Sequence, residues 1–164
     1  MQYTFFPAAI ICLGLFLACN DAQEEPTGRQ PVDLTSDLLG TWETIEYEVN
    51  YQTYLGGDTA YVEHIREADW GRKFGVRPPS TVFSADGKLR RTHRLRTGQV
   101  ANVTNGIWKA QGDSLFVIEP NITYTYHHDL QGDRMLLRGI VDQDQDGVRD
   151  DTFRAVYRLV GRTR

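Results

Sequence analysis

Cysteine is nearly absent: Cys12 and Cys19 are the only two in 164 residues. From Asn20 onward no thiol remains, which excludes a disulfide framework and a cysteine-based zinc centre in the body of the chain. An excess of basic charge is missing too. The 18 Lys and Arg are outnumbered by 22 Asp and Glu, for a net charge of −4, and a nucleic-acid partner is not expected. Beyond Thr41 there is no long stretch of 3.6-residue periodicity, so a helical bundle is excluded. Ser-His-Asp, Cys-His, P-loop and G-x-S-x-G arrangements are all missing, and the expectation is a protein that is not an enzyme. What is present, 40% hydrophobic and 11% aromatic residues, suits one ordinary globular domain.

The longest apolar run, Phe5 to Ala18, carries no charge and is shorter than the ~20 residues of a membrane helix. It ends in Leu17-Ala18-Cys19-Asn20, which resembles the lipobox of bacterial lipoproteins. Residues 1–18 would then be a signal peptide, and Cys19 would carry palmitate-type acyl chains that make the lipid bilayer its partner. A plain secretory signal that contains a cysteine is the alternative. Residues 19–35 are polar, hold two prolines and read as a flexible tether. The resemblance implies the cell envelope, as an outer membrane lipoprotein, either periplasmic or surface-exposed. Asp21, Glu24 and Glu25 resemble an export signal for the surface; solvated linker acids are the other reading.

Residues 36–164 form the domain, and they read as strands. β-rich runs occur at roughly 41–49, 60–66, 80–84, 88–96, 101–110, 114–119, 121–129, 134–141 and 152–160. Asp86-Gly87, Gly112-Asp113, Gly132-Asp133 and Asp146-Gly147 supply the positive φ angles of hairpin turns. Period-two alternation puts Phe153, Ala155, Tyr157 and Leu159 on one face, and Ile122, Tyr124, Tyr126 and His128 on another. Leu115 to Ile118 are apolar on both faces, which predicts a strand covered twice. The fold expected is all-β: an antiparallel meander of about eight strands closing into a barrel, with a β-sandwich as the alternative.

Ser36 is placed to cap a short helical turn that Gly40 ends, and Trp42 starts the first strand. This Gly-x-Trp opening resembles the first motif of lipocalins and of bacterial lipocalin-like lipoprotein domains. Gly106-Ile107-Trp108 followed by Gly112-Asp113-Ser114-Leu115 is similar to a hairpin of those bacterial domains. The resemblance implies that Gly40, Trp42, Arg154 and Arg158 are structural, with an arginine of the last strand covering Trp42. It also implies a ligand mouth at the opposite end. There the long segments 50–59 and 67–79 carry Tyr51, Tyr54, Trp70 and Phe74, as lid residues or as a plug.

Asp142, Asp144 and Asp146, followed by Gly147, match the start of a calcium loop, in which a hard Ca²⁺ collects several oxygens. Val148 would offer its carbonyl, and Asp150 or Asp151 would close the shell. Phe153 stands where an EF-hand needs glutamate, so the likeness is to looser Asp-rich loops, and a solvated acidic turn is the alternative. In the basic run from Lys88 to Arg96, alternation sets Arg91 and His93 opposite Arg90 and Arg94. Arg91 and His93 are thereby candidates to line a polar interior, unless the whole run is a solvated face.

The functional expectation is a membrane-anchored lipocalin-like protein that binds a small apolar or amphipathic ligand. The candidate ligand residues are Tyr51, Tyr54, Trp70, Phe74, Arg91, His93, Tyr124 and Tyr126. The alternative is a structural or accessory envelope lipoprotein with a filled barrel and a calcium-stabilised hairpin. Ca²⁺ is the one cofactor considered.

Overall fold

A computed structural model describes residues 34–54 and 57–162. The signal segment 1–18, Cys19 and all but the end of the tether lie outside the described residues. A short helix, α1 (Leu34–Asp37), leads into β1 (Gly40–Tyr51). Then come β2 (Tyr61–Arg66), a second helix α2 (Glu67–Lys73), β3 (Ser80–Phe83) and β4 (Lys88–Arg94). The chain continues through β5 (Val100–Gln111), β6 (Ser114–Glu119), β7 (Ile122–Gln131), β8 (Arg134–Val141) and β9 (Asp151–Gly161).

From β3 to β9 each strand pairs antiparallel with the next, and β9 pairs back onto β1. Pairing of β1 with β3 closes the ring, so eight strands form a barrel and leave no free edge within it. The expected meander is met, and the sandwich is not. β2 is the ninth strand and lies outside the ring order. It pairs with the second half of β1, residues 46–51, while β3 takes residues 40–43 on the same edge. Between them the backbone N–H of Thr44 donates to the Pro79 carbonyl at 2.9 Å.

Tight turns at 84–87, 112–113 and 132–133 gather with α1 at one end, the floor. Gly112 and Gly132 adopt φ of +59° and +62°, as the hairpin reading requires. Asp146-Gly147 instead falls inside a longer β8–β9 loop at the opposite end, the rim. The floor half is solid. Trp42, Phe83, Leu89, Trp108, Leu115, Val117, Met135 and Leu137 are all buried there, and Phe83 meets Trp108 edge-on at 5.5 Å. The Trp42 indole N–H donates to the Leu38 carbonyl at 2.9 Å. Gly40 sits at φ +143°, where a Cβ would strike the Gly161 carbonyl oxygen, so the seam between β1 and β9 needs glycine.

Three expectations are corrected. Arg154 and Arg158 do not cover Trp42: alternation along β9 turns Phe153, Ala155, Tyr157 and Leu159 inward and both arginines outward. Arg154 pairs with Glu46 at 2.6 Å, and Arg158 with Glu43 at 3.0 Å and Glu67 at 2.8 Å. The Leu38 carbonyl, just after α1, takes the Trp42 indole N–H instead, and Ser36 lies within that helix rather than at its cap. Finally, β6 is covered on one face only, since Ile118 is exposed.

Candidate functional site

The rim half of the barrel is hollow. A cavity of about 300 Å³ lies there, walled by β1, β2, α2, β4, β7 and β9. Its aromatic side is continuous. Tyr124 stacks on Tyr126 at 5.7 Å, Tyr126 meets Phe153 at 5.0 Å, and Phe153 meets Tyr47 edge-on at 5.7 Å. Alternation accounts for this belt, because each ring occupies an inward position of its strand, two residues from the next inward one. Burial pushes the Tyr126 hydroxyl well above its ordinary pKa, and that of Tyr124 upward as well. Both rings stay neutral.

The polar side comes from β4. Leu89, Arg91 and His93 point inward; Leu89 belongs to the packed floor, whereas Arg91 and His93 line the cavity. Arg91 Nη1 lies 2.8 Å from Glu119 Oε1, reaching β6 across the intervening β5. The pair is in ionic contact, but its angles fall outside those of a hydrogen bond, so Glu119 Oε1 has no aligned donor. A guanidinium carries five N–H donors, and the others on Arg91 find no partner among the described residues. Burial holds the His93 pKa below its ordinary value; Arg91 pushes it the same way, and Glu119 partly offsets both. Trp70 adds a second donor, since its indole N–H is buried without a hydrogen-bond partner.

Of the eight expected ligand residues, the cavity brings together Trp70, Arg91, His93, Tyr124 and Tyr126. Tyr51, Tyr54 and Phe74 do not line it. Tyr51, Tyr54 and Tyr61 form a separate ring cluster at the β1–β2 hairpin, with centroids 5.1 to 5.7 Å apart. Phe74 is exposed and touches Trp70 at 6.1 Å. Thr44, Tyr47, Glu63, Gln143, Phe153 and Tyr157 also face the cavity without having been singled out as ligand residues. The inward face of β9 was the one available signal for Phe153 and Tyr157.

A larger open cleft of about 690 Å³ lies over the rim, between the β6–β7 turn and the β8–β9 loop. Glu119 and Tyr124 line it, and Tyr124 lines the inner cavity as well. Arg91 and the ring belt belong to the inner cavity.

The acidic loop closes differently from the simple spacing. Asp142, Asp144 and Asp151 each bring a carboxylate oxygen within 4.8 Å of the other two. Asp146 and Asp150 turn toward the Thr53 hydroxyl, at 3.2 and 3.3 Å. The Val148 N–H donates to Asp146 at 2.8 Å, and its side chain is exposed. Asp151 is fully buried, and this burial, with repulsion from the Asp144 and Asp150 carboxylates, raises its carboxyl pKa against the pull of the Gln143 and Asp144 backbone N–H groups. The neighbouring histidines diverge, as adjacent strand positions must: His127 faces Asp113 at 3.3 Å, and His128 meets the Gly112 carbonyl at 3.3 Å.

No protein-family model matches the chain, and no curated protein matches it at a significant level. A solved structure described as a lipocalin-like protein from Bacteroides uniformis is similar, with 15% identity and a TM-score of 0.45. The likeness covers 75% of this chain and 98% of that one. The barrel assignment stands on the strand pairing alone.

Proposed function

We propose that the barrel binds one small amphipathic molecule in its rim cavity, with an apolar or aromatic body and an anionic or hydrogen-bond-accepting end. The observation that carries this reading is the juxtaposition of the Arg91 guanidinium with the belt of Tyr47, Tyr124, Tyr126 and Phe153. An apolar wall with a few convergent polar groups is the usual make-up of a small-ligand pocket, and this volume lies at the small end of their ~300–1,000 Å³ range. The ring belt takes the body of the ligand. Arg91 and the Trp70 indole N–H take its acceptor end. A guanidinium suits a carboxylate particularly well, because its fork matches the two oxygens.

Titration with an anionic naphthalene sulfonate probe, followed by displacement with small aromatic carboxylates, tests the site. Arg91→Gln weakens binding and Glu119→Gln strengthens it, since the second change removes the competing carboxylate. Arg94→Gln, on the outer face of the same strand, leaves binding unchanged. Opposite signs at Arg91 and Glu119 cannot come from loss of folding. Equal weakening in all three variants would reject the site.

The Leu17-Ala18-Cys19 sequence supports a lipid anchor for this binding domain, with an address in the cell envelope. Cys19→Ser should release the protein from membranes on fractionation, and tight association of that variant would remove the anchor from the proposal.

A further inference from the structure

Beyond the inner cavity, we infer that Asp142, Asp144 and Asp151 hold one calcium ion at the barrel rim. Two observations meet here. First, one carboxylate oxygen from each of the three lies within 4.8 Å of the others. Oxygens bound to a common Ca²⁺ at ~2.4 Å can be at most about twice that distance apart, so a single ion can reach all three. Second, Asp151 is fully buried, yet its Oδ1 has no hydrogen-bond partner, and Asp142 Oδ1 is buried in the same condition. A buried carboxylate oxygen without a donor is costly unless a cation or a donor is supplied.

No lysine or arginine pairs with Asp142 or Asp151 among the described residues. Arg149, the only basic residue of the loop, donates instead to the Ile140 carbonyl at 3.0 Å. The remaining oxygens of the two orphaned groups are engaged locally: Asp151 Oδ2 accepts from the Gln143 N–H at 2.6 Å, and Asp142 Oδ2 from the Gly147 N–H at 3.1 Å. These bonds hold the carboxylates in place and leave one buried oxygen of each without a donor.

The donor set is all oxygen, without histidine or thiolate, which favours a hard cation over zinc or copper. An irregular cluster of carboxylates on a loop suits calcium better than magnesium, which demands a regular octahedron and keeps its waters. The consequence is structural. Gln143, between two of the ligands, lines the inner cavity, and Asp142 lines the open cleft, so the ion fixes the rim segment that separates them.

The test uses the full chain, freed of metal with a chelator, then titrated with calcium by calorimetry and with terbium by luminescence. Melting is recorded alongside at constant ionic strength. Calcium binds and raises the melting temperature; magnesium at the same concentration does so less. Asp144→Asn weakens both calcium and terbium binding by more than about tenfold, a loss of over about 1.4 kcal/mol. Asp146→Asn and Asp150→Asn, whose carboxylates turn to Thr53, retain binding within a few-fold. Terbium luminescence reads the site directly, so a stability change in a variant does not obscure the result. Absence of binding in the unmodified chain, a response to magnesium equal to that to calcium, or unchanged binding in Asp144→Asn would each overturn the assignment. So would losses in Asp146→Asn and Asp150→Asn as large as that in Asp144→Asn.

Discussion

Arg91 on β4 and Glu119 on β6 place opposite charges 2.8 Å apart inside the barrel, across a strand that belongs to neither. Both side chains are mostly shielded, at 23% and 11% exposure, so each is the other's main compensation for leaving water. Removing one partner leaves the other unpaired. Arg91→Met and Glu119→Leu should each cost about 1–3 kcal/mol, below the full penalty of a dry pair because the cavity admits water. The double variant should cost clearly less than the sum of the two. Denaturant unfolding of the four proteins measures the coupling, and simple additivity would mean that the two charges do not depend on each other.

Trp42 and the outward arginines of β9 carry very different weights. Trp42→Ala should destabilise the domain by about 3–5 kcal/mol, as expected when a fully buried aromatic is truncated. Arg154→Ala and Arg158→Ala should each cost no more than about 1 kcal/mol, because their ion pairs are partly solvated. Thermal unfolding of the three variants separates a tryptophan held in the core and bonded to the Leu38 carbonyl from one that depends on an arginine cover. A loss in Arg158→Ala comparable to that in Trp42→Ala would favour the cover.

The strands and their faces were legible because alternation is local. The inward sets of β7 and β9 follow from period two alone, and the turns at Gly112 and Gly132 from the need for positive φ. Arg91 and His93 were placed on one face of β4 by the same reasoning. The way β2 and β3 share one edge of β1 was not legible, since pairing between distant segments leaves no local mark. Nor was α2, whose seven residues are too few to show a helical period. It is held together by Asp69, which accepts the Arg66 N–H at 3.2 Å and meets Arg72 at 2.5 Å and Lys73 at 3.5 Å. Trp70 reaches the cavity from that helix, whereas Tyr54 and Phe74 looked equivalent to it in sequence. Asp151 illustrates the same limit: spacing left it level with Asp150, and the burial that separates them is a property of the closed barrel.

His93 should make stability fall on acidification. Burial, and then the Arg91 charge, hold its folded-state pKa below the unfolded value of about 6.5, against the pull of Glu119. Glu63, Tyr47, Tyr124, Tyr126 and Tyr157 are the other titratable groups that line the same cavity, beside Arg91. Near and below that unfolded pKa the unfolded chain binds the proton more readily than the folded one, so unfolding is favoured as the pH drops. His93→Gln should lessen the loss of stability between pH 7.5 and 5 relative to the unmodified protein. Equal slopes in the two proteins would show that His93 does not titrate in a shielded site.

A crystal structure of the barrel with a small aromatic carboxylate bound would test the central claim most directly. Density for one molecule is expected in the rim cavity, its ring against Tyr124, Tyr126 and Phe153 and its carboxylate within hydrogen-bond reach of Arg91. A molecule found only at the outer Tyr51, Tyr54 and Tyr61 cluster or in the open cleft, with the interior filled by collapsed side chains, would contradict it.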